Sequence, residues 1–110
     1  MNAVIETYIY LRAADDEGMT EEERSQAVDT IARDPMAGDL IVGGGGCRKI
    51  RIAGKGRGKS GGYRIVAYYA ERDIPVFLVS VLSKGSRGNF SKAERNAMAV
   101  AAKNLAEGIS

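Results

Sequence analysis

Between Arg48 and Arg64 the chain reads RKIRIAGKGRGKSGGYR, with seven basic residues, a run of glycines and no acid. Cations without acidic partners suit one chemistry above others, which is to hold phosphate oxygens and stabilise negative charge developing on them. The inner GKGRGKS invites a nucleotide-binding loop, but that pattern needs four residues between its first glycine and Gly-Lys-Ser/Thr. At that distance from Gly58-Lys59-Ser60 stands Ala53, with Gly54 one residue too close. A nucleotide loop also opens a helix whose first amides cradle phosphate. Here YRIVAYYA follows Gly62, and its aromatic and β-branched residues read as a strand. The segment is therefore read as a surface for a large polyanion. With no His and the single Cys47, the chain lacks the ligands for zinc and the partners for Cys–His catalysis, so no metal and no cofactor is expected.

The elements that must position these cations follow from patterning. A strand is expected around Ala3–Glu6, then a short helix in YIYLRAADD with Tyr8, Leu11 and Arg12 on one side. Thr20 and Glu23 have capping-box spacing, and Ala27, Val28 and Ile31 follow at helical intervals before Asp34-Pro35, which predicts a helix over 20–33. GDLIVGGGGC has no periodicity and reads as a glycine-rich connection. CRKIRIA alternates, placing Ile50 and Ile52 on one face and Lys49 and Arg51 on the other. A loop over 53–62 leads to a second strand, YRIVAYYAE, and IPVFLVSVLS supplies a third whose nearly continuous apolar run suits a covered, central position. Ser91 and Glu94 form a second capping box, with Ala97, Met98, Ala101 and Leu105 as the stripe of a last helix. The expected class is α+β. An N-terminal strand and a three-strand meander form a small antiparallel β-sheet, flanked by N-terminal helices and a C-terminal helix.

At 110 residues the chain fits one domain, 1–110. No apolar run approaches membrane-spanning length, and the N-terminus lacks a basic segment followed by an apolar core. Together with the lone cysteine, this points to a cytoplasmic protein with no membrane partner. Net charge is +2, yet residues 1–40 carry three cations and ten acids, whereas residues 41–110 carry thirteen cations and four acids. The imbalance, −7 against +9, makes the second part the interaction half. DDEGMTEEER reads as a solvated helix face rather than an acidic catalytic site.

Strands of an antiparallel hairpin show their side chains to the same two faces, so one register sets Arg64 beside the Lys49/Arg51 row. Like charges so placed repel, and a phosphate among them reverses the sign of the interaction. Lys55, Arg57 and Lys59 widen the positive field, and the glycines leave room for a bulky backbone to approach. Tyr63, Tyr68 and Tyr69 are read as packing residues rather than base-stacking platforms.

The segment GDLIVGGGGCRKIRIAGKGRGKSGGYRIVAYY resembles the RelE/HigB-like toxins of bacterial toxin–antitoxin modules, within the RelE/ParE superfamily, and especially the HigB branch. The similarity continues through IPVFLVSVLSKG and FSKAERNA and covers most of the chain. It implies an endoribonuclease that cuts mRNA in the ribosomal decoding site and inhibits translation. It also implies a cognate antitoxin, often with a helix-turn-helix domain, that holds the toxin inactive. The family's basic catalytic positions fall on Lys49, Arg51, Arg64 and Lys84. Arg87 and Phe90 are the RNA contacts that the resemblance adds, beside Arg48, Lys55, Arg57 and Lys59, which are expected RNA contacts on their charge. Phe90 stands where some relatives have a catalytic tyrosine, and it can stack on a base but not exchange a proton. The HigB branch commonly has YGKNE or YAKNE where this chain has LSKGSRG.

The implied reaction is attack of a ribose 2′-OH on the adjacent phosphate. It needs a proton acceptor, stabilisation of the phosphoryl oxygens and a proton for the leaving 5′-oxygen. Lys49 is the candidate base, because clustered cations disfavour each other's protonated forms. Arg51 and Arg64 are the candidate stabilisers, and Lys84 the candidate acid. Two other functions compete: a ParE-like toxin of the same architecture that inhibits DNA gyrase by binding, against which the basic sheet residues favour RNA cleavage, and a noncatalytic nucleic-acid-binding module, which explains the charge but not the match to the catalytic pattern.

Overall fold

The computed structural model describes residues 2–53, 62–70, 73–83 and 90–108. Strand β1 (Val4–Glu6) is followed by helices α1 (Tyr8–Asp16) and α2 (Glu21–Arg33). Then come β2 (Asp39–Leu40), β3 (Cys47–Ala53), β4 (Gly62–Tyr68), β5 (Val76–Ser83) and helix α3 (Lys92–Ala106). The five strands form one sheet in the order β1-β5-β4-β3-β2, so the class is α+β, as the patterning predicts.

Local chemistry sets the helix starts. In α2, Thr20 Oγ1 accepts from the Glu23 amide at 3.1 Å while Glu23 Oε1 accepts from the Thr20 amide at 2.9 Å. Ser91 and Glu94 repeat the reciprocal pair at the start of α3, at 3.1 and 2.7 Å. Each box satisfies two amides that a helix end otherwise leaves unpaired. Thr7 caps α1, and its hydroxyl also donates to the Leu78 carbonyl at 2.6 Å. That tie to β5 fixes the rotation of α1. Tyr10 and Ala14 are buried, and the expected side of Tyr8, Leu11 and Arg12 contributes only the partly buried Leu11.

Two features of the sheet depart from the expected antiparallel meander. Strand β1 runs parallel to β5, with Val4 opposite Val76 and Glu6 opposite Leu78, so the sheet is mixed. No hairpin joins these strands, and the intervening chain frees β1 from the antiparallel direction that a short turn imposes. The glycine-rich connection also contains β2, which pairs Asp39 with Lys49 and Leu40 with Arg48. Two residues are too few for a period to show.

The sheet divides the core in two. On one face α1 and α2 bury Tyr10, Ala27 and Ile31 against Ile50, Ile52, Tyr63 and Ile65. On the other, α3 buries Met98 and Ala102 against Cys47, Val66, Val79, Leu82 and Phe90. Ala97, expected in the α3 stripe, is exposed, and the buried edge runs through Met98 and Ala102 instead. Among the described residues no helix is long and apolar enough to cross a membrane.

Candidate nucleic-acid interface

Alternation along β3 decides which cations meet. Cys47, Lys49 and Arg51 share the α3 side, whereas Arg48, Ile50 and Ile52 take the other. In the β3–β4 ladder Arg51 lies opposite Arg64, and Lys49 lies opposite Val66. Three predicted site residues, Lys49, Arg51 and Arg64, therefore share one face. Lys49 and Arg64 are half-buried and Arg51 is exposed. Among the described residues neither Lys49 nor Arg51 has an ion-pair partner. Asp39 is the cross-strand neighbour of Lys49 without closing an ion pair to it. Strand β2 ends its pairing at Lys49, and at the uncovered edge beyond it Arg51 borders a shallow depression with Asp29 and Arg33 of α2.

Arg48 does not join this row. Its Nη1 donates to the carbonyls of Met36 and Gly38, both at 3.3 Å, on the opposite side of the strand. It ties the turn before β2 to β3, and Gly38 permits the approach. Gly38 sits at φ +86°, and a Cβ there would run into the Lys49 carbonyl oxygen. The same alternation that put Lys49 and Arg51 opposite Ile50 and Ile52 also assigns Arg48 to the isoleucine side.

Phe90 is 6 % exposed and packs with Val66, Leu82 and Met98, which makes it a core residue and removes it as a stacking platform. Its carbonyl accepts from Arg95 Nη1 at 2.9 Å. Arg95, in the first turns of α3, is a cation that sequence reasoning did not select. It lines a cavity of about 290 Å3 with Leu40, Ile41, Val42, Lys49 and Phe90. A charge in a capped first turn reads as solvated, and only the packing of α3 onto the sheet brings it to Lys49. The expected contacts Lys55, Arg57, Lys59 and Arg87, and the expected catalytic Lys84, lie outside the described residues.

The tyrosines pack, as expected. Tyr63 is fully buried and its hydroxyl donates to Glu23 Oε1 at 3.0 Å, joining the start of β4 to α2. Glu23 is 4 % exposed, so this buried bond ties the strand that carries Arg64 to a helix on the far face. Tyr69 donates to Asn2 Oδ1 at 3.3 Å. Burial raises the Tyr10 phenol; the nearby charge of Glu6 adds to the shift and Arg24 opposes it. Burial also pushes the Cys47 thiol up to about 11, which leaves it a neutral packing group on the α3 side.

These features suit binding and stabilisation of a polyanion's phosphate. The family model described as the RelE toxin of the RelE/RelB toxin–antitoxin system matches residues 2–109.

Proposed function

The chain belongs to the RelE toxin family, and from that premise we propose that this toxin is a ribosome-dependent mRNA endonuclease working on the α3-side face of the β3–β4 hairpin. As a toxin of a toxin–antitoxin system it has an antitoxin partner. The observation that carries the proposal is the Arg51–Arg64 cross-strand pair beside Lys49. Like charges directly opposite each other on a sheet repel, and a bound phosphate between them converts the repulsion into attraction.

In the proposed reaction Lys49 takes the proton of the ribose 2′-OH as its oxygen attacks the adjacent phosphorus. Arg51 and Arg64, always charged, hold the phosphoryl oxygens as negative charge grows on them. The bond to the 5′-oxygen breaks, leaving a 2′,3′-cyclic phosphate, and Lys84 supplies the leaving-group proton. The row offers charge but little enclosure, so orientation of the 2′-OH in line with the phosphorus is the ribosome's contribution. Such positioning is a large part of many barriers. The residues 1–110 act as one domain in the cytoplasm, and the antitoxin carries a helix-turn-helix domain and covers the cationic face, since buried cations need acidic compensation.

The test is to induce the toxin in cells without its antitoxin and map new mRNA 5′ ends against the reading frame. Cuts phased with codons, and lost when translation initiation is blocked, are expected. Efficient, frame-independent cutting of naked RNA by purified protein would refute ribosome dependence. Growth arrest with intact mRNA and broken DNA would favour the gyrase-inhibiting class.

A further inference from the structure

We propose that the cavity between the end of β2 and the start of α3 is a subsite for a single nucleotide of the RNA. Arg95 takes its phosphate, with Lys49 at the junction to the Arg51–Arg64 row, and Ile41 and Val42 form an apolar wall for its base. The physiological ligand rests on the RNA-cleavage reading; the capacity to bind a nucleotide does not.

Four observations carry the assignment. First, the lining is of two kinds, two cations and a set of apolar side chains, which is the make-up of a nucleotide rather than of a bare anion or a greasy segment. Second, folding leaves neighbouring apolar surface here that it does not bury: Leu40 is 59 % exposed at the end of β2, and Val42 is 88 % exposed in the turn beside α3. Third, the cations are available and one of them is held in place. Among the described residues neither Lys49 nor Arg95 has an acidic partner, and Asp39, the cross-strand neighbour of Lys49, does not line the cavity. The bond from Arg95 Nη1 to the Phe90 carbonyl uses one of five guanidinium N–H donors and fixes the group before any ligand arrives. The turn lies close by, since a Cβ on Gly43 would stand 3.9 Å from Arg95 Nε.

Fourth, the cavity is continuous with the proposed phosphate row, because Lys49 belongs to both. Lys49 and Arg51 are two residues apart on one strand, a separation of about 6.6 Å. That distance is on the scale of one nucleotide step, so a phosphate between Arg51 and Arg64 places the neighbouring nucleotide at the cavity. The subsite would then contribute to which base is tolerated next to the cut.

The test is nuclear magnetic resonance on the full chain, freed of its antitoxin and titrated with each of the four nucleoside 5′-monophosphates and, separately, with inorganic phosphate. Shifts are expected at Ile41, Val42, Lys49 and Arg95, with at least one nucleotide binding about tenfold or more tightly than phosphate. Arg95→Ala should weaken that nucleotide by about tenfold or more, the loss of a charge-assisted contact. Arg95→Lys should restore part of the loss, and unchanged thermal unfolding of both variants separates a binding effect from a folding one. Equal affinity for phosphate and nucleotide, shifts confined to the Arg51–Arg64 row, or no site-specific shift at millimolar nucleotide would each overturn the subsite. Codon-phased cleavage in a translating lysate is read in parallel. Cleavage without nucleotide binding at the cavity removes the subsite alone, and binding without cleavage removes the ribonuclease reading alone.

Discussion

Replacing Arg51 by Gln should move stability and activity in opposite directions. Arg51 and Arg64 are direct cross-strand partners, which sets their Cβ atoms about 4.5–5.5 Å apart. With the guanidinium charges at about 7 Å, repulsion is about 0.6 kcal/mol in bulk water and about 2.4 kcal/mol at an effective dielectric constant of 20. Arg51 is exposed and Arg64 half-buried, so the low end applies, about 0.5–1 kcal/mol, as for like charges opposed on a sheet. Gln keeps much of the side-chain length and removes the charge. The unliganded variant should therefore gain about 2–8 °C in Tm at low salt, at roughly 4–8 °C per kcal/mol for a small domain. The gain should fade near 1 M salt, where the screening length is about 3 Å. Single-turnover cleavage on programmed ribosomes should meanwhile fall by about a hundred- to a thousandfold, the loss of one transition-state contact. A Tm loss accompanied by a matching fall in activity would make Arg51 a structural residue. Wild-type cleavage by the variant would remove it from the site.

Lys49→Arg keeps the charge but not the proton-accepting capacity, so ribosome association should stay near wild type while single-turnover cleavage drops by about a hundredfold; equal cleavage rates would reduce Lys49 to an electrostatic contact. Gly45→Ala should lower stability by about 2–4 kcal/mol in a denaturant titration, because Gly45 sits at φ +68° and a Cβ would stand 2.7 Å from the Ala99 Cα of α3. A neutral Gly45→Ala would mean that the turn after Val42 is not held against α3. Cys47 gives a pH signature: its folded thiol titrates near 11 against an ordinary value of 9.0, so the unfolded chain loses its proton first. Stability should therefore fall as pH rises from about 9 to about 11, on the order of 2 kcal/mol, and Cys47→Ala should flatten that part of the profile in urea unfolding.

Much of this arrangement is legible in the sequence where a local rule governs it. Both capping boxes form where Thr20-x-x-Glu23 and Ser91-x-x-Glu94 stand, and the alternation of CRKIRIA puts Lys49 and Arg51 on one face. The register that pairs Arg51 with Arg64 was one of a small set that a hairpin allows. What was missed depends on contacts far apart in the chain. The parallel pairing of β1 with β5 joins residues about seventy positions apart, and three-residue β1 carries no period to announce it. Phe90 reads equally well as a stacking residue or a core residue until α3 closes over it. Arg95 has no local mark of function, because its significance comes from lining the same cavity as Lys49. Arg48 is different: its opposite face was already written in the alternation.

The two-layer division of the fold has an electrical consequence. Residues 1–40, with a charge of −7, include α1 and α2 on one side of the sheet, and Lys49, Arg51, Arg64 and Arg95 lie on the other side or at its rim. Among the described residues, the acids of α1 and α2 are thus held apart from these cations by an apolar slab, and this set of charges contributes a dipole directed across the sheet. Near a strongly anionic particle that dipole feels a torque as well as a pull, so the protein turns its cationic side inward during approach instead of searching all orientations after contact. Neutralising Glu21 and Glu22 on the outer surface of α2 would raise the total charge and yet shrink the dipole. The protein would be drawn in more strongly while arriving less often with the productive face forward.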